Sequence, residues 1–392
     1  MPRKLTADYL YPITSAPIAQ GVVVIEDDGT IAAIGTRDDF DTADLEVHRG
    51  TLVPGLVNAH CHLELSHMKG KVATGTQLIP FITAVVQQRD AEAEVIAEAI
   101  AKADQEMYDG GIVAVGDISN LPSTFEQKQR SALRYYTFVE LFDFLQDANA
   151  AETYEKARTV YEQLSLPEGH RKSYVPHAPY SVSRELFRII REANEGRRTV
   201  SIHNQETIPE NELFVSKQGG FIDFYGAFGI DLSGFEATTA TSIHYALRHL
   251  DPDDRNLFVH NTLTDAADLA AAHAWSDHTY WCTCPSANLY IENRLPNYRH
   301  FIDGNARVCI GTDSLTSNWQ LSVLEEMKTI ARYQSYVAES DILTWATLNG
   351  AQALGMDDTL GSFDTGKMPG VNLLDTLPGE LLESEATIHR LV

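Results

Sequence analysis

The chain has 392 residues, with 30 Lys and Arg against 55 Asp and Glu, for a formal net charge of −25. At roughly 150 residues per domain, the length fits two or three domains, or one large α/β barrel with an attachment. A composition of 44% hydrophobic and 22% charged residues excludes a disordered chain. So acidic a balance argues against sequence-independent binding to nucleic acid or to anionic membranes, which needs a basic face. The partner expected is a small-molecule substrate, with no nucleic acid and no membrane.

No stretch approaches the ~18 apolar residues of a membrane span, and the N-terminus lacks an apolar core of signal-peptide length. Four cysteines (Cys61, Cys282, Cys284 and Cys309) do not make a disulfide framework in so long a chain, which points to a reducing, cytoplasmic location.

In chain order, Gly21–Ile25 and Ile31–Gly35 flank an Asp27-Asp28-Gly29 turn and predict a hairpin. Beyond residue 50, short apolar strands alternate with amphipathic helices. The strands begin near residues 51, 112, 135, 174, 199, 257, 280 and 308, and the first runs over Thr51–His62. Helical patterns cover Glu94–Tyr108 (closed by Gly110-Gly111), Arg184–Ala193 and Asp265–Ala274. Leu321–Tyr336 and Asp341–Leu354 follow the eighth strand, and Gly361–Val392 returns to short β-like pieces. Eight β/α units predict an α/β fold, a (β/α)8 TIM barrel over residues 51–360. A small β-sandwich domain is expected from both chain termini, residues 1–50 and 361–392.

Polar residues at the C-terminal ends of barrel strands stand where such barrels keep their active sites. Strand one ends in Asn58-Ala59-His60-Cys61-His62, and residues two apart on a strand share a face, so His60 and His62 form a pair suited to zinc or iron. Strand five ends at His203, followed by Glu206; strand six ends at His260; strand eight leads into Gly311-Thr312-Asp313. Singly, Glu206 reads as a helix cap and Asp313 as a turn residue. Jointly, five such groups at strand ends predict a metal centre.

These residues carry a resemblance to the amidohydrolase superfamily over nearly the whole chain. The matching pieces are Val53–His62, His203-Asn-Gln-Glu206, His260, Gly311–Ser314, Ala346–Ala351 and the closing Gly361–Phe363 with Gly366–Asn372. Within it the chain is similar to the mononuclear deaminases. His62–Ser66, His177–Ser181 and Cys284–Tyr290 most resemble aminodeoxyfutalosine deaminases of menaquinone biosynthesis.

The resemblance implies one Zn2+ (Fe2+ is compatible) held by His60, His62, His203 and Asp313. Binuclear relatives use a carboxylated lysine at the end of strand four, where this chain reads Val175-Pro-His177, with Lys172 at the wrong end. Asp313 is then expected to take a proton from the attacking water, Glu206 to protonate a ring nitrogen, and His260 to orient the water and polarise the new oxygen. The reaction implied is hydrolytic deamination of an aminated purine nucleoside. A hydrolase of a cyclic amide or chlorinated ring is the alternative on the same scaffold, and a non-catalytic barrel is a third reading.

His177, Glu64 and Asn288 are expected substrate contacts. His177 reads equally as a backbone-bonded histidine, and Glu64 equally as the start of a loop. Arg294 or Arg299 would face a substrate carboxylate. Cys282 and Cys284 read as small buried thiols, and His67, His244, His249, His273, His278 and His300 as surface or structural. The polar, glycine-bearing segment Ser66–Pro80 is placed to cover the pocket as a lid. A homodimer is an expectation from the barrel type alone.

Overall fold

The computed structural model describes residues 2–392. Eight parallel strands form the barrel: Leu56–Cys61, Ile112–Ser119, Arg134–Leu141, Arg171–Pro176, Thr199–Asn204, Arg255–His260, Thr279–Thr283 and Val308–Ile310. Strands one to four make one parallel half and strands five to eight the other.

The halves join at two seams, both tied by residues of the candidate site. Cys61 pairs with Asp313, and the N–H groups of Thr312 and Asp313 both donate to the His60 carbonyl at 3.0 Å. Across the other seam, His203 N–H donates to the His177 carbonyl at 2.9 Å. Gly311 permits the first seam, because a Cβ there would lie 2.8 Å from both His60 Cβ and Cys282 Sγ.

The helices follow their sequence signals closely. Arg184–Ala193 starts where Ser183 Oγ accepts from Leu186 N–H, and it buries Leu186 and Phe187 with Ile190 one turn later on the same face. Asp265 caps Ala266–Trp275 in the same way. The expected helix over 341–354 is interrupted by a wider turn at Trp345–Asn349.

Thr51–His62, expected as one strand, is two. Thr51–Pro54 pairs with Val371–Leu374 and with Tyr9–Leu10 in a five-stranded sheet, whereas Leu56–Cys61 belongs to the barrel. The break falls at Gly55, whose N–H donates to Pro369 O and whose missing Cβ would lie 2.2 Å from Val113 Cγ1. A four-stranded sheet (Ile31–Thr36, Gly21–Ile25, Arg3–Thr6, Leu45–Val47) includes the expected hairpin. Leu5, Leu10, Val23, Ile25, Ile31, Leu52, Phe363 and Val371 form a second core, apart from the barrel's, drawn from both chain ends.

Candidate active site

Three imidazoles converge at the C-terminal mouth of the barrel. His62 Nε2 lies 3.1 Å from His60 Nε2 and 3.3 Å from His203 Nε2. Asp313 Oδ1 stands 3.4 Å from His62 Nε2 and 3.8 Å from His60 Nε2. Tetrahedral zinc with nitrogen ligands needs donor atoms about 3.3 Å apart, so the spacing fits the ion.

Protonation fits as well. Burial, and then the neighbouring imidazoles, push His62 and His203 down to about 3 and His60 well below its ordinary value, leaving lone pairs free for a metal. His203 Nδ1–H donates to His177 O at 2.8 Å, so its proton is not on Nε2. Asp313 Oδ2 accepts from Ser317 Oγ at 2.6 Å, which turns Oδ1 toward the histidines.

His260 and Glu206 face this cluster. His260 Nε2 lies 3.7 Å from Glu206 Oε2, and both are buried. Burial first, then the Asp313 charge, holds the Glu206 carboxyl well above the usual carboxylate range. Gln205, His260 and Asp313 take left-handed backbone at φ +47°, +71° and +57°. Such conformations cost energy and persist where surrounding bonds enforce them. At Gln205 the enforcing group is Glu210, which accepts from the N–H of both Gln205 and Glu206 at 2.9 and 3.0 Å.

A cavity of about 210 Å3 opens over these groups, lined by His62, His177, His203, Glu206, His260 and Asp313. Its outer wall is apolar: Leu78, Phe81, Ile82 and Val85 on helix Leu78–Gln88, with Phe142, Phe144, Phe224 and Ile291 opposite. The segment read as a lid is therefore partly helical. It begins in the 3-10 helix Leu63–Met68 and is tied at Gly75 and Gln77, whose N–H groups donate to Tyr290 O and Ile291 O. A larger open cleft of about 610 Å3, lined by Arg184, Glu236 and His249 among others, shares no residue with this cavity.

Two expected substrate contacts stand elsewhere. After His62 the chain turns into the 3-10 helix, so strand parity no longer holds at Glu64. Glu64 Oε2 accepts from the N–H groups of Asn120 and Leu121 at 3.0 and 3.2 Å, and Oε1 faces Arg89 at 3.7 Å. Asn288 lies behind His260 and accepts from its Nδ1 at 2.9 Å. Neither is on the cavity wall. Arg294 and Arg299 are exposed and also off the wall, Arg299 lying over the Tyr336 ring. His177 does line the cavity, with Nδ1 on Ser181 Oγ at 2.7 Å.

Sequence reasoning missed Glu140, Asn120, Arg89 and Asp117. Glu140 lines the cavity near the end of strand three, the same signal that revealed the histidines. Asp117 is buried with Lys128 Nζ at 2.6 Å and accepts from Leu63 N–H at 2.7 Å, fixing the turn that follows His62. Lys172, at the opposite end of its strand, donates to Tyr161 O and Leu164 O. The four cysteines are buried and free, and none joins the histidines.

Comparison with known proteins bears on the fold and the family. The chain is 26% identical over 313 residues (78% of this chain, 75% of the relative) to an adenosine deaminase of Helicobacter pylori. Its fold matches the crystal structure of Helicobacter pylori aminofutalosine deaminase in complex with methylthio-coformycin at a TM-score of 0.82, with 20% identity and all of both chains covered. It matches the zinc complex of atrazine chlorohydrolase from Arthrobacter aurescens at a TM-score of 0.75, with 16% identity and 94% of this chain and 86% of that chain covered. The model of the amidohydrolase family matches residues 51–390, and the chain belongs to that family.

Proposed function

We propose that this hydrolase of carbon–nitrogen bonds is a zinc-dependent deaminase that removes the exocyclic amine of an adenosine-type nucleoside as ammonia. Aminodeoxyfutalosine, of menaquinone synthesis, is the first substrate to test, followed by adenosine, methylthioadenosine and S-adenosylhomocysteine. The observation that carries the reading is Glu206, a buried carboxyl 3.7 Å from His260 on the same cavity wall as His62, His203 and Asp313, where burial and the Asp313 charge push its pKa well above the usual carboxylate range. Loss of ammonia from a conjugated ring needs a proton donor at the adjacent ring nitrogen, whereas hydrolysis of a simple amide does not. The names of the Helicobacter pylori relative and structural neighbour support the same substrate class.

His60, His62 and His203 would hold one ion through Nε2, with Asp313 through Oδ1. The donor set suits zinc, the metal of the Arthrobacter neighbour, and Fe2+ fits the same groups. When bound, a divalent ion lowers the pKa of a water toward neutrality and so supplies a nucleophile at working pH.

The protein's own groups then divide the proton transfers. His260 Nδ1–H is given to Asn288, so its bare Nε2 accepts from the attacking water and orients it. Asp313 is placed to take the water's proton, while Ser317 holds its second oxygen. Glu206 donates to the ring nitrogen beside the attacked carbon, and the carbon–nitrogen bond breaks as a proton passes to the departing ammonia. The one cation on the cavity wall, Arg89, already faces Glu64 at 3.7 Å, which leaves no free cation for a phosphate and favours a nucleoside over a nucleotide. Four free cysteines fit a reducing compartment such as the cytoplasm.

The test is ammonia release by zinc-loaded protein across those nucleosides, with guanine and cytosine as further substrates. Glu206→Gln is expected to lower kcat by about 10²- to 10⁴-fold on the preferred substrate. A variant near the wild-type rate refutes the role given to Glu206. Silence across the whole panel at full zinc occupancy refutes the deaminase reading in favour of a cyclic-amide or chlorinated-ring hydrolase.

A further inference from the structure

Glu140 presents a carboxylate oxygen to the cavity that no protein group uses. Its Oε2 accepts from Asn120 Nδ2 at 3.0 Å. Its Oε1 is buried without a hydrogen-bond partner, and the residue is 7% exposed on the cavity wall. The near nitrogen, His203 Nδ1, is 3.7 Å away, and its single proton is already given to His177 O at 2.8 Å. Orienting His203 is therefore done by the carbonyl, and Glu140 Oε1 is left over.

A buried acceptor without a donor is costly, so the oxygen is explained best by a ligand that brings a donor. An anion would be repelled. A second metal finds too few ligands, since His203 commits one nitrogen to the first cluster and the other to a carbonyl, leaving only Glu140 and His177. Hydroxyl groups fit. His177 engages Nδ1 with Ser181, which leaves Nε2 for the cavity, and a Glu140 oxygen and a His177 nitrogen lie within 4.8 Å of each other. Two adjacent hydroxyls can bridge that gap.

We propose that Glu140 and His177 clamp the two adjacent hydroxyls of the ribose on the substrate nucleoside, with Glu140 Oε1 accepting from one of them. This rests on the nucleoside reading above. Asn120 keeps the carboxylate turned for the task.

The experiment is calorimetric binding of inosine, 2′-deoxyinosine and 3′-deoxyinosine to zinc-loaded protein, since these lack the amine and are not consumed. Wild type is expected to bind inosine about 10- to 100-fold more tightly than at least one deoxy analogue, the range for a hydrogen bond to a charged group. Glu140→Gln keeps the side-chain volume, and it should weaken inosine binding until its preference over the analogue lacking the Glu140-bound hydroxyl is within about threefold, with that analogue's constant and the zinc content unchanged. Equal binding of all three by wild type overturns the clamp, as does a Glu140→Gln variant that weakens all three alike. Ammonia assays on adenosine and its two deoxy forms separate the two readings. Turnover with equal kcat/KM sinks the clamp alone, whereas no turnover with the binding preference intact upholds the clamp and sinks the deaminase.

Discussion

Asn288 accepts a hydrogen bond from His260 Nδ1 at 2.9 Å, and its Nδ2 donates back to the His260 carbonyl at 3.4 Å. The pair fixes both the orientation of the amide and the tautomer of the imidazole, so that an unprotonated Nε2 faces Glu206 and the cavity. Asn288→Ala is expected to lower kcat by about 10- to 100-fold with zinc content unchanged. Asn288→Asp tests the sign of the electrostatics. Burial holds the His260 pKa below its ordinary value, and a carboxylate on Nδ1 would favour the imidazolium and raise that pKa by about 1–3 units. Because the bare Nε2 is the working form, the acid limb of the rate profile should move to higher pH. An unmoved limb would remove His260 from the mechanism.

Metal affinity should show little dependence on mild acid. With His62 and His203 at about 3 and His60 also well depressed, all three nitrogens stay unprotonated between pH 7.5 and 6.0. Three imidazoles at the ordinary pKa would lose about 50-fold in affinity over that range through proton competition. Competition with a calibrated chelator should instead show a change within about threefold, after correction for the chelator's own protonation.

The buried Asp117–Lys128 pair joins stability to the metal centre. Lys128 Nζ is satisfied by Asp117, Ser119 Oγ and Thr137 Oγ1 at 2.6, 3.0 and 3.1 Å. Lys128→Met leaves a buried carboxylate unpaired and is expected to cost about 3–5 kcal/mol in denaturant unfolding. Replacing both residues, Asp117→Leu with Lys128→Met, should recover most of that loss. The same double variant removes the acceptor of Leu63 N–H next to His62, so it should bind zinc about 10- to 100-fold more weakly even though it is stable.

Much of this site was legible because a barrel sends the residues that follow its apolar strands to one mouth. His60, His62, His203, His260 and Asp313 each follow such a run, and the structure gathers all five. Glu140 obeys the same rule at the end of the third strand, where no neighbouring histidine marks it as part of the cluster. Glu64 is expected from its parity with His62 and Asn288 from its place after strand seven, but a 3-10 turn redirects Glu64, and Asn288 sits behind the ring that it steers. Asp117 with Lys128 and Glu64 with Arg89 are contacts of tertiary origin, without a local pattern to announce them. The division of Thr51–His62 was hidden for another reason, since both halves are equally apolar and Gly55 alone marks the change of sheet.

That division bears on how this protein can be cut and recombined. Val371–Leu374 pairs with Thr51–Pro54, Pro369 O holds Gly55 N–H, and His60 follows five residues later on the same extended segment. The last strands of the chain thus act as a jig that sets the register of the first histidine, although they lie outside the barrel. Exchanging or trimming the C-terminal piece alters the tooling of the metal centre itself, so the barrel does not behave as a portable module.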